Sequence, residues 1–91
     1  MILSVAYDLH NPGRHYAGVE AALQSASGWC HPQGSVWFID TTLSPEQWVT
    51  KLSSVADSND EFLVTQVREN WWSKNMDTNA INWFKSSSRN W

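Results

Sequence analysis

The 91 residues carry nine acidic and six basic side chains, for a net charge of -3, and 42% are hydrophobic. That length builds one small domain over residues 1–91, stabilised by one core or by a partner subunit. Acidic balance (pI near 5.4) disfavours gripping phosphate backbones, whose affinity comes mainly from Lys and Arg.

The chain opens on a strand pattern, Ile2-Leu3-Ser4-Val5-Ala6-Tyr7-Asp8-Leu9. Side chains alternate faces, so Leu3, Val5, Tyr7 and Leu9 suit a core, while Ile2, Ser4, Ala6 and Asp8 form a small-residue face ending in a charge. Asn11-Pro12-Gly13 reads as a turn. Tyr16, Val19, Leu23 and Ala26 recur at helical spacing, and Gly28 stops that helix. Trp29-Cys30-His31 and Ser35-Val36-Trp37-Phe38-Ile39 flank Pro32-Gln33-Gly34 as a hairpin. The second arm is apolar on both faces, which predicts a central or covered strand.

Ser44-Pro45-Glu46-Gln47 is a capping box with Pro at the first helical position, and Leu43 and Trp48 stand at the staple positions. Trp48, Leu52 and Val55 continue that buried stripe. Asp57-Ser58-Asn59-Asp60 ends the helix, Asn59-Asp60 capping the turn into a strand over Phe62-Leu63-Val64-Thr65-Gln66-Val67. A short helix follows, capped by Asp77, with Ile81 and Phe84 as its apolar contacts, and residues 86–91 are expected to fray. The order predicts an α+β, ferredoxin-like βαββαβ fold: a four-stranded, mainly antiparallel sheet, helices on one face, and a C-terminal helix. The other sheet face is left open and asks for a dimer partner or a ligand.

Cys30 is the only cysteine, which excludes an internal disulfide and a cysteine metal site. No stretch approaches a membrane span, and Asp8 interrupts the first apolar run before it reaches signal-peptide length. A reducing cytoplasm is the expected setting, that of an infected host included.

Asp8, at a strand exit, can hold a cation. His10, two residues on, suits a proton relay or a metal ligand, and Arg14 is the nearest cation in sequence and a candidate binding residue. Cys30 and His31 face opposite ways and do not converge. The chain holds seven tryptophans. Trp48 belongs to the core, but Trp29, Trp37, Trp71, Trp72 and Trp83 exceed what one small core holds. Exposed tryptophans stack on bases or anchor protein interfaces. The net charge favours the interface, with Trp71, Trp72 and Trp37 as its candidates.

Tyr7-Asp8-Leu9 closing the first strand, and Gln33-Gly34-Ser35-Val36-Trp37 opening the third, resemble the Cas-two/VapD-like ferredoxin-fold group. That group comprises the small CRISPR-associated adaptation protein, virulence-associated protein D, and relatives labelled SinR-family. Pro12-Gly13, Tyr16, Asn59-Asp60 and Leu63-Val64 fall in the same rhythm, over residues 1 to about 70. The resemblance implies a homodimer with Asp8 of each chain near the two-fold axis. It also implies either a metal-dependent nuclease, with Asp8 as the Mg²⁺ or Mn²⁺ ligand, or a non-catalytic scaffold. No helix-turn-helix with a basic recognition helix is visible.

Acidic pI and tryptophan excess put first an interaction module docking on a protein partner, and the resemblance implies a defence, toxin or mobile-element (phage) system as its setting. The Tyr7-Asp8-Leu9 motif puts second a metal-dependent endonuclease acting on RNA or DNA.

Overall fold

The computed structural model describes residues 1–11 and 16–91. The elements run β1 (Ile2–Asp8), α1 (Ala17–Gln24), β2 (Gly28–Gln33), β3 (Val36–Asp40), α2 (Pro45–Ser53), β4 (Glu61–Val67) and α3 (Thr78–Lys85). The strands form one antiparallel sheet in the order β2-β3-β1-β4. β1 and β2 therefore run parallel with β3 between them, the split-βαβ arrangement expected of a ferredoxin-like chain. The Pro12-Gly13 turn and Arg14 lie outside the described residues.

Local chemistry accounts for the element boundaries. Ser44 Oγ accepts from the Gln47 N–H at 3.1 Å, and the Gln47 side chain accepts from the Ser44 N–H at 2.9 Å. This reciprocal box starts α2, with Pro45 at its first position. Asp77 caps α3 by accepting from the Ala80 N–H. The β2–β3 register slips by one residue between Cys30 and Gln33, where Pro32 sits. Pro lacks an N–H, so it is tolerated because β2 is an edge strand with a bulge at that point.

Two apolar clusters form, one on each face of the sheet. Leu3, Val5, Trp37 and Ile39 meet Val19 and Leu23 of α1 and Trp48 and Leu52 of α2. On the opposite face, Cys30 and Phe38 meet Ala80 and Phe84 of α3, with Trp71, Trp83 and Trp91 packed around them. This second cluster takes Trp71 and Trp83 from the tryptophan surplus, Trp37 joins the first, and Trp29 and Trp72 stay exposed.

Three expectations are corrected. Trp37 is 1% exposed, with Nε1 donating to the Tyr7 hydroxyl, so it is a core residue and offers nothing to a partner. The 86–91 segment docks rather than fraying. Asn90 donates to the Asp40 carboxylate at 3.1 Å through both its backbone N–H and Nδ2, and the Trp91 ring stacks on Phe84. Finally, α3 covers the β2–β3 half of the face that was expected to be open. What remains uncovered is a strip on β1 and β4, where Leu63 is 67% exposed. Among the described residues, no helix is long and apolar enough to cross a membrane.

Candidate functional site

Asp8 ends β1 on the face turned away from the larger core, and the β1–β4 register sets Glu61 directly opposite it. Like charges facing each other across an antiparallel pair repel. His10 is the hydrogen-bonding partner here: its Nε2 lies 2.5 Å from the Glu61 carboxylate. One ligand atom each from Asp8, His10 and Glu61 lies within 4.8 Å of the others, and all three residues are exposed. The hydrogen bond to Glu61 raises the His10 pKa above its ordinary value, against partial desolvation and with help from the charges of Glu61, Asp8 and Asp60.

A polar brace sets the position of His10. The His10 N–H donates to Asp60 Oδ1 at 2.9 Å, and the Tyr16 hydroxyl donates to the same oxygen at 3.0 Å. The other oxygen of Asp60 accepts from the Asp57 N–H at 2.8 Å. Asn11 Nδ2 donates to Asp57 at 2.6 Å and to Asn59 at 3.0 Å. These bonds pin the segment after β1 to the turn before β4. Desolvation works to raise the Asp60 pKa, but the N–H groups of His10 and Asp57 and the Tyr16 hydroxyl outweigh it and hold the carboxyl below the usual range. Asp60 is thus committed to the brace, as its turn-capping role predicted.

Beside the cluster lies an open hollow of about 420 Å³, lined among others by Ala6, Asp8, Ser35, Glu61 and Leu63. Its size falls within the usual range for ligand pockets, roughly 300–1,000 Å³. Two carboxylates and one imidazole make a donor set suited to Mn²⁺, and to Mg²⁺ through the carboxylates alone. The repelling pair at Asp8 and Glu61 is the structural feature such a cation would neutralise, so the residues fit the ion.

The structure therefore brings together Asp8 and His10 and adds Glu61. No sequence signal marked Glu61, because its role comes from cross-strand register. Trp71 and Trp72 stand beyond the opposite end of β4, away from this cluster. His31 stacks on Trp37 with ring centroids 4.0 Å apart and donates to the Gly34 carbonyl, while Cys30 is buried in the second cluster. The two face opposite sides, as alternation predicted. Comparison of the chain with protein-family models, with curated proteins and with solved structures finds no match in any of the three.

Proposed function

We propose that the chain is a homodimeric, metal-dependent endonuclease of RNA or DNA, with Asp8 and Glu61 as the Mg²⁺ or Mn²⁺ ligands and His10 beside them. The observation that carries this reading is the convergence of three potential ligand atoms, from a strand end, a loop and the start of another strand, within 4.8 Å. A bound divalent cation supplies Lewis acidity and a nucleophilic water for phosphodiester hydrolysis. The chain's own residues do the rest. Asp8 and Glu61 hold negative charge where the cation is needed, and Asp60 fixes the backbone from which His10 reaches them. The His10 ring, its pKa raised by the hydrogen bond to Glu61, can give a proton to a departing oxygen. The adjoining hollow leaves room for a phosphodiester beside Asp8 and Glu61.

Cleavage of labelled RNA and duplex DNA with Mg²⁺ or Mn²⁺ tests this, using wild type, Asp8→Ala and Glu61→Gln purified identically. Loss of cutting in both variants supports the reading; equal cutting in all three ends it.

A second reading is favoured by the uncovered β1–β4 strip, where Leu63 is 67% exposed beside Ala6 on a face that α3 does not reach. An apolar residue in that position suits self-association, and the dimer would then act as a non-catalytic interaction module of a defence, toxin or mobile-element system. Cleavage by wild type separates the two readings, and sedimentation of wild type against Leu63→Lys tests the dimer they share. A dimer that Leu63→Lys disperses, with no cleavage by wild type, leaves only the module.

A further inference from the structure

Trp71 and Trp72 stand between two small adjoining hollows. One, of about 180 Å³, is lined by Arg68 as well as both indoles. The other, of about 130 Å³, shares both indoles and Ser73 and is lined by Lys85. Among the described residues no Asp or Glu side chain lines either hollow. Arg68 and Lys85 line this corner, while Asp8, Asp57, Asp60 and Glu61 lie at the far end of β4. Trp71 is half-buried and held by Phe84, ring centroids 5.1 Å apart. Trp72 is 96% exposed, an indole face left in water.

We infer that this corner binds single-stranded nucleic acid, with a base stacked on Trp72 and Trp71 and backbone phosphates against Arg68 and Lys85. The two hollows are well below the roughly 300 Å³ at which pockets for drug-sized ligands begin, so each admits little more than a ring. Arg68 and Lys85 repel the ammonium ligands that aromatic cages otherwise take by cation–π attraction. A nucleotide joins a flat ring and an anion in one covalent unit, and an unpaired strand leaves its bases free to stack, as a duplex does not. Net charge alone disfavours nucleic acid, but it is a sum over the chain, and the charged side chains that line this corner are Arg68 and Lys85.

As an account of substrate choice the corner rests on the nuclease reading, naming single strands as what reaches Asp8 and Glu61. As a binding site it does not depend on that reading. Six residue steps of β4, about 20 Å at strand rise, separate the two ends, a span that an extended strand can bridge.

Fluorescence anisotropy of a short labelled oligouridine, in EDTA so that nothing is cut, tests the inference. Wild type binds, and Trp72→Ala binds about tenfold more weakly. Two phosphate contacts give a slope of log affinity against log salt of about -1.4, which Arg68→Gln reduces by about half. Trp72 packs against little, so its variant folds, and circular dichroism checks that it does. The inference is overturned if Trp72→Ala binds like wild type, if wild type does not bind at low salt, or if blunt duplex competes as well as single strand. Such a failure alongside Asp8-dependent cleavage leaves the nuclease reading standing. Binding without any cleavage upholds the corner and removes the nuclease.

Discussion

Gly28 gives Arg89 the space it occupies: a Cβ at residue 28 would collide with Nη1 of the guanidinium. Arg89 lies over the Trp83 ring, with 4.3 Å from guanidinium carbon to ring centroid, and 3.8 Å from the buried Asp40 carboxylate. Asp40 in turn accepts from Asn90. The glycine that ends the first helical pattern is therefore also the seat of the C-terminal segment.

Gly28→Ala should displace Arg89 and cost about 1–3 kcal/mol, the usual range for overpacking. In an Arg89→Ala background the same change should cost much less, because the clash is gone. Urea unfolding of the two singles and the double measures the coupling. Additive losses would mean that the tail does not sit on Gly28.

Trp37→Ala should destabilise the protein by about 3–5 kcal/mol, as removal of a buried aromatic does. Trp72→Ala should lie within about 0.5 kcal/mol of wild type, since its ring packs against almost nothing. Thermal unfolding of the pair checks the assignment of one tryptophan to the core and the other to the surface. Equal midpoints would overturn it.

Cys30 sits under α3, and burial pushes its thiol up to about 11, with Asp77 adding to the rise and Arg89 opposing it. The neutral thiol is the form the fold accommodates. Its contribution is complete below the ordinary cysteine pKa and is lost as pH rises toward about 11. Native protein at pH 8 should react with a thiol reagent far more slowly than urea-unfolded protein. Equal rates would place Cys30 outside the second cluster.

His10 gains its proton affinity first from the hydrogen bond to Glu61. A folded pKa above the unfolded one gives stability that is complete below the ordinary imidazole range and lost as pH rises through the folded value. Both partners are exposed, so that effect is small. The titration itself is the better measurement: Glu61→Gln should lower the His10 pKa followed by NMR. A His10 pKa unchanged in Glu61→Gln would dissolve the cluster.

Much of the fold was legible because its signals are local. The Ser44–Gln47 capping box, the alternation of Leu3, Val5 and Tyr7, and the hairpin, expected to turn at Pro32-Gln33-Gly34 and found turning at Gly34–Ser35, each depend on neighbours a few residues away. Asp8 stood out for the same reason, as a charge closing an apolar strand. Glu61 did not, because it becomes Asp8's neighbour only when β4 pairs with β1 in one register, and a slip of one residue would send it to the other face. The tryptophans were misjudged by a related route. Counting rings against one core takes no account of α3, which on the second sheet face gives Trp71 and Trp83 a cluster of their own, while Trp37 fills the first.

By itself, then, the sequence determined the elements, their order and which face of each strand is apolar, since side-chain spacing and capping act along the chain. Only the tertiary structure decided that Asp8, His10 and Glu61 meet, that residues 86–91 dock, and that Arg68 and Lys85 flank the same pair of indoles. Those relations join residues far apart in sequence, and the energy that selects them appears only when the strands pair and the helices pack.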